Sequence, residues 1–87
     1  MKCQAELENY LKAIKNNEKR IRGYAAALKE SGDFKVYEDA LAYDVFRWYW
    51  TVTYNESSYA GCYYKYDCND NHVLTLAKTG LKKAGII

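Results

Sequence analysis

The chain has 87 residues, of which 49 % are hydrophobic and 28 % are charged, and its formal net charge is +2. This length predicts one small domain, residues 1–87, and excludes a second independent core. The composition excludes a disordered tail and a membrane span, and the charge fits neither a strongly basic nucleic-acid binder nor an acidic DNA mimic.

The first predicted element is a long helix over residues 4–30. Its apolar positions follow steps of four and three residues, the spacing of a coiled-coil seam, with Glu18 as the charged exception. The seam either packs within its own domain or leaves part of its stripe for a second copy, so a homo-oligomer through this helix is an open alternative. Gly23 is the position where we expect a kink or break. The apolar seam positions are Leu7, Leu11, Ile14, Ile21, Ala25 and Leu28.

The middle of the chain predicts a short helix over 38–46 and an antiparallel β-hairpin over 47–67. The segment RWYWTVTY is rich in aromatic and β-branched residues and alternates between two faces, as does YAGCYYKYD after a polar turn. One face of the hairpin should pack beneath the helices. The residues assigned to that core face are Trp48, Trp50, Tyr64 and Tyr66.

A C-terminal helix over 71–84 is predicted by apolar residues at 3.6-residue spacing with lysines on the opposite side. Asn69, Asp70 or Asn71 should accept hydrogen bonds from its first turn, and Gly85 should end it. The order of long helix, short helix, hairpin and C-terminal helix predicts the α+β fold class.

Catalytic and metal-binding motifs have little support in this chain. Cys62, Cys68 and His72, with Cys3, form one group of soft metal ligands, but structural zinc sites usually space their cysteines two to four residues apart. Reduced thiols, with His72 capping or flanking the last helix, are the simpler interpretation. There is no nucleophile–base pair in a catalytic context, no Gly-rich phosphate loop and no HExxH motif. We therefore predict no enzymatic activity, no cofactor and no metal.

The tyrosines indicate a binding surface. Eight of the ten Tyr fall between residues 37 and 66. They lie within the segment 36–70, which has a net charge of −4, whereas the flanking segments 2–35 and 71–87 each have a net charge of +3. Tyr and Trp give large contact areas at small entropic cost and are enriched at interfaces. The outward face of the hairpin is therefore the predicted binding site. Its residues are Arg47, Tyr49, Tyr59, Tyr63 and Lys65.

These features predict a small protein-binding module. In size, composition and lack of catalytic residues the chain resembles small phage or mobile-element proteins that bind and inhibit a host complex, such as anti-CRISPR proteins, although it shares no specific motif with them. The alternative is a nucleic-acid-binding accessory protein that uses Lys and Arg of the terminal helices with Tyr stacking, but the aromatic segment is acidic. An odd cysteine count and the lack of a signal-like start predict a cytoplasmic protein without membrane contact.

Overall fold

The computed structural model describes residues 3–32 and 34–87, and this part of the chain consists of helices and loops. Helix α3 (Phe34–Tyr54) packs against both α2 (Glu18–Glu30) and α5 (Asp70–Lys83), and α1 (Leu7–Asn16) packs against α5. None of the described helices is both long and apolar enough to span a bilayer. The elements are a 3₁₀ turn (Gln4–Glu6), α1 (Leu7–Asn16), α2 (Glu18–Glu30), α3 (Phe34–Tyr54), α4 (Ala60–Tyr66) and α5 (Asp70–Lys83).

The predicted α+β class, with a β-hairpin over 47–67, is wrong, because the described residues contain no strand and form an all-α fold. Helix α3 continues through the first predicted strand, and α4 takes the place of the second. In α3 the buried residues come in adjacent pairs that recur every four positions, a pattern that faces one side only in a helix. These pairs are Leu41 with Ala42, Val45 with Phe46, and Tyr49 with Trp50.

The predicted short helix over 38–46 is part of the longer α3. Asn55 follows its last residue at φ 55°, a left-handed conformation that Asn tolerates better than most residues. The Trp50 Nε1–H donates a hydrogen bond to Glu56 Oε2 at 2.9 Å. This bond folds the loop after α3 back onto the helix and so positions α4.

The predicted helix over 4–30 is interrupted at Asn17, and Gly23 lies inside α2. Asn17 has φ −128° and ψ 30°, and its Nδ2 donates a hydrogen bond to the Ala13 carbonyl oxygen at 2.9 Å. A side-chain amide that binds the backbone in this way competes with helical hydrogen bonds. The chain therefore makes two helices where the seam alone predicts one.

Most of the apolar seam is buried within the chain itself. Leu7, Ile14, Ile21 and Ala25 belong to the hydrophobic core, and Leu28 packs against it. Self-association through this helix stays a prediction, and the stripe it would use is largely occupied by intramolecular packing.

An aromatic cluster fills the core between α1, α3 and α5. The Tyr10 ring meets Phe46 and Tyr49 edge-on, with centroid distances of 5.3 and 5.2 Å. Its hydroxyl donates a hydrogen bond to the Ala77 carbonyl oxygen at 3.1 Å. A Cβ atom on Gly80 would lie 2.4 Å from Tyr10 Cε2. The close approach of α1 to α5 therefore depends on glycine at this position.

The residues predicted for the core face of the hairpin differ in how deeply the helices bury them. Trp50 is buried, Trp48 and Tyr66 are half-buried, and Tyr64 is 88 % exposed. The assignment of Tyr64 to the core is wrong because α4 is a helix that buries Cys62 instead. Two-residue periodicity does not describe which side chains face inward here.

Helix α5 begins within one residue of the predicted start, and a capping box satisfies the backbone at its N-terminus. The Asn69 side chain accepts a hydrogen bond from His72 N at 3.0 Å, and His72 Nδ1 accepts one from Asn69 N at 3.1 Å. Asn69 is thus the cap among the three candidates, and the prediction that His72 caps or flanks the start of the last helix is confirmed. Gly85 follows the helix at φ 77°.

Candidate functional site

Three of the five predicted binding residues lie together on the surface. Arg47 is exposed on α3, and Tyr59 and Tyr63 are half-buried just before and within α4. They surround a surface depression of about 450 Å³, here termed the tyrosine pocket. Its lining residues are Arg47, Ser57, Ser58, Tyr59, Ala60 and Tyr63.

Ring packing and a hydrogen bond fix the two tyrosines of this pocket. The Tyr59 ring stacks on Tyr43 at a centroid distance of 6.2 Å and meets Phe46 edge-on at 5.8 Å. Tyr63 packs edge-on against Tyr59 at 5.8 Å, and its hydroxyl donates a hydrogen bond to Asp70. Burial and the hydrogen bond to Asp70 raise the pKa of Tyr63. The pocket wall is therefore held in place before any ligand arrives.

An apolar groove lies next to the tyrosine pocket, between α2 and α3. Its volume is also about 450 Å³, and Tyr24 and Val52 in its wall are 38 % and 60 % exposed. The groove places the second half of α2 beside residues 44–52 of α3. The groove is lined by Tyr24, Ala27, Leu28, Asp44, Arg47, Trp48, Thr51 and Val52.

Arg47 belongs to both depressions. Within the described part of the chain, neither its guanidinium nor the Asp44 carboxylate forms a hydrogen bond or an ion pair. The guanidinium therefore keeps its five N–H donors available. The apolar groove, Arg47 and the tyrosine pocket form one continuous region, termed the Arg47 surface below.

The other two predicted binding residues lie around the carboxylate of Glu6. Tyr49 is buried, and its hydroxyl donates a hydrogen bond to Glu6 Oε2 at 2.6 Å. The hydroxyls of Tyr54 and Tyr66 donate to Oε1, and Lys65 Nζ forms an ion pair with Oε1 at 3.4 Å. The prediction that Tyr49 faces outward is therefore wrong, because helical α3 turns it into the core. Lys65 is exposed but tied to a buried partner.

These donors keep Glu6 ionised inside the protein. Burial alone would raise the pKa of Glu6, but the hydrogen bonds from Tyr49, Tyr66 and Tyr54 and the contact with Lys65 lower it from 4.5 to about 2. The residue is only 3 % exposed. We interpret this Glu6 cluster as a structural link that joins the first turn, α3 and α4, because protein donors already occupy both carboxylate oxygens.

Stability should therefore fall as acid protonates Glu6. A carboxyl group with a lowered pKa contributes stability above its ordinary pKa, and that contribution is lost as the pH falls through the folded-state value. Between the ordinary pKa of 4.5 and the folded-state pKa of about 2, we expect Glu6 to lose about 3 kcal/mol of unfolding free energy. Urea unfolding measured from pH 7 to pH 2 should show this loss, and the Glu6→Gln variant should lack it. An equally steep decline in that variant would contradict the assignment.

Sequence reasoning missed Glu6 and the apolar groove. Glu6 contacts Tyr49 and Tyr66 across 43 and 60 positions, and no local pattern reveals such contacts. The sequence does contain an indication of the groove, because Leu28 is the last seam position and Tyr24 lies beside the seam. Its exposure depends on how α3 covers α2, which the seam does not specify.

The described residues contain no group of three or more His, Cys, Asp and Glu placed to hold a metal ion. His72 uses Nδ1 in the capping box. Cys3 and Cys62 are buried, Cys68 is half-buried, and all three are free thiols. The weak sequence indication of a zinc site thus gains no support from their arrangement.

Comparisons with known proteins add no functional assignment. No protein-family model matches the chain, and no curated protein or solved structure is significantly similar to it.

Proposed function

We propose that the protein is a non-enzymatic binding module that captures a segment of a partner protein on the Arg47 surface. The observation that carries this proposal is Arg47, which lies between an apolar groove and a tyrosine pocket and forms no ion pair with any described residue. Arg and Tyr are enriched among the residues that dominate the energy of protein interfaces. A concave apolar wall also gives a partner's anchor side chain a place to be buried.

The chemistry of this surface selects a segment with a large apolar side chain next to a carboxylate. The apolar side chain would pack against Leu28 and Val52, which line the groove. The carboxylate would accept two parallel hydrogen bonds from the Arg47 guanidinium, a geometry that strengthens and orients the contact. Asp44, at the same groove, favours a basic residue elsewhere in the segment.

Inhibition of a host complex extends the same proposal. A module of 87 residues that covers a short segment of a larger protein blocks whatever else must bind that segment. We propose the cytoplasm as its location, since its three cysteines are free thiols and reduced thiols are typical of that compartment.

Nucleic-acid binding is the alternative function, and the experiments must distinguish it from protein binding. Tyr49 is buried, and Tyr54 and Tyr66 donate hydrogen bonds to Glu6, so these rings are not free stacking platforms. Tyr64, at 88 % exposure, is available. The described surface therefore supports protein binding better than base stacking.

A substitution in the groove should separate binding from folding. The partner is captured from a lysate of the source cell and purified, and its affinity is then measured by calorimetry. We expect Val52→Asp to weaken binding at least about tenfold, because a carboxylate would occupy the apolar wall. The matched control is Val36→Asp, since Val36 is 52 % exposed on the same helix outside the groove. Equal affinities of the two variants would refute the groove as the binding site.

Charge reversal tests the role of Arg47 and separates the two ligand classes. Arg47→Glu should abolish capture of the partner, whereas Lys12→Glu, an equal charge change at an exposed site on α1, should leave it intact. If both variants lose binding to the same extent, and nuclease treatment of the lysate removes the captured material, the ligand is a nucleic acid. Far-UV circular dichroism shows whether each variant is folded.

A further inference from the structure

The three cysteines of the chain meet where the first turn contacts the loop between α4 and α5. Cys3 and Cys62 are fully buried in the core, and the half-buried Cys68 packs against the same cluster. The Cys3 Sγ lies 3.5 Å from the His72 carbonyl oxygen, and the Cys68 Sγ lies 3.7 Å from the Tyr66 carbonyl oxygen. The first of these contacts places Cys3 beside the first turn of α5, next to the loop that carries Cys68.

The three thiols differ in access and in local geometry. Cys68 is a neighbouring group of both the Cys3 thiol and the Cys62 thiol. Burial and the adjacent thiol groups raise the pKa of Cys3 and of Cys62 to about 12, so both remain protonated at neutral pH. Cys68 is the least buried of the three and follows the left-handed Asp67. It is therefore the thiol that a dissolved oxidant reaches first.

We propose that Cys68 and Cys3 form an intramolecular disulfide when the protein meets hydrogen peroxide. The Cys68 thiolate attacks one peroxide oxygen, the O–O bond breaks, and Cys68 becomes a sulfenic acid with release of hydroxide. The Cys3 sulfur then attacks the Cys68 sulfur and loses its proton, and the hydroxyl group leaves as water. In total, two thiols and one peroxide yield one disulfide and two water molecules, so the cysteines are oxidised and the peroxide is reduced.

Cys3 is the favoured partner because a disulfide needs its sulfur atoms close together at a defined dihedral angle. Cys3 precedes the first 3₁₀ turn and lies outside any regular helix, so its backbone can adjust. Cys62 lies within α4, where helical hydrogen bonds hold its backbone. The Cys3–Cys68 bond would close a loop that contains most of the chain.

Peptide mapping can assign the bond because trypsin separates the three cysteines. Cleavage after Lys and Arg places them in different peptides, residues 3–12, 48–65 and 66–78. The reduced full chain is treated with hydrogen peroxide under native conditions, remaining thiols are alkylated with iodoacetamide, and the digest is analysed by mass spectrometry. We expect peptide 3–12 linked to peptide 66–78, with the intact chain lighter by two hydrogen atoms.

Variants and thermal unfolding complete the test. The bond should form in Cys62→Ser and be absent from Cys3→Ser and Cys68→Ser. Oxidation should raise the Tm of the wild type by roughly 10 °C, because the cross-link restricts the unfolded chain, and dithiothreitol should reverse the rise. A link between peptides 48–65 and 66–78, disulfide-linked dimers, or three unreacted thiols would each overturn the proposal. None of these results depends on a binding partner, so they leave the proposed function untouched.

Discussion

Replacement of Glu6 by Gln should lower the free energy of unfolding by about 3 kcal/mol at pH 7. The carboxylate accepts hydrogen bonds from three tyrosine hydroxyls and contacts Lys65. An amide has one acceptor oxygen and no charge, so at least one of the tyrosine hydroxyls can no longer donate to this side chain, and the remaining bonds weaken. Urea denaturation followed by far-UV circular dichroism measures the change.

Glu8 provides the matched control for this substitution. It lies two residues further on and is exposed in the first turn of α1. We expect Glu8→Gln to change the unfolding free energy by less than about 0.5 kcal/mol, as surface substitutions usually do. If Glu6→Gln were equally mild, the Glu6 cluster would have no structural role.

Gly80→Ala should destabilise the protein by about 2 kcal/mol, although Ala is normally the better helix former. The added Cβ would lie 2.4 and 2.6 Å from the Tyr10 ring carbons and 3.3 Å from Ile14 Cδ1. The ring has little room to move, because Tyr10 is buried and its hydroxyl is bonded to Ala77. Helices α1 and α5 must therefore separate, and thermal and urea unfolding should both report the loss.

The same substitution at Gly23 should have the opposite sign. A Cβ there meets nothing within 4 Å, and the residue is exposed within α2. Gly23→Ala should therefore gain about 0.5 to 1 kcal/mol from helix propensity alone. A gain at both positions would show that α1 and α5 are not packed as closely as the structure indicates.

The helices that local sequence signals predict well are those with caps and a regular apolar stripe. Asn69, His72 and Gly85 mark the two ends of α5, and its apolar residues follow one face, so its limits are predictable to within one residue. The break at Asn17 is harder to predict, because it depends on a side chain that binds the backbone at Ala13. An Asn in a helix does this only in some contexts.

Helix α3 shows how tertiary packing overrides local preference. The aromatic and β-branched residues of RWYWTVTY favour a strand, and an alternating pattern of eight residues supports that interpretation. Burial of neighbouring side chains, such as Tyr49 and Trp50, is incompatible with a half-exposed strand but natural in a helix. The repeated pairs of apolar residues over 41–50 carried this information in the sequence.

The candidate site was predictable in part, for reasons that differ between residues. Arg47, Tyr59 and Tyr63 lie together as expected. They are brought together by a loop that turns α4 back onto α3, however, and not by a β-hairpin. Tyr49 and Lys65 lie at the Glu6 cluster instead. Composition identified the segment rich in contact-forming residues, whereas the direction of each side chain required the helical backbone.

The packing of α1 on α5 also has a consequence for the order in which the chain folds. The hydrogen bond from Tyr10 to Ala77 joins residues 67 positions apart, whereas α2 and α3 are joined by a short connection and can pair without closing a long loop. Loop closure disfavours distant contacts early in folding. The α2–α3 pair should therefore form in the folding transition state and the α1–α5 contact after it. Gly80→Ala should then mainly accelerate unfolding, with little effect on the folding rate.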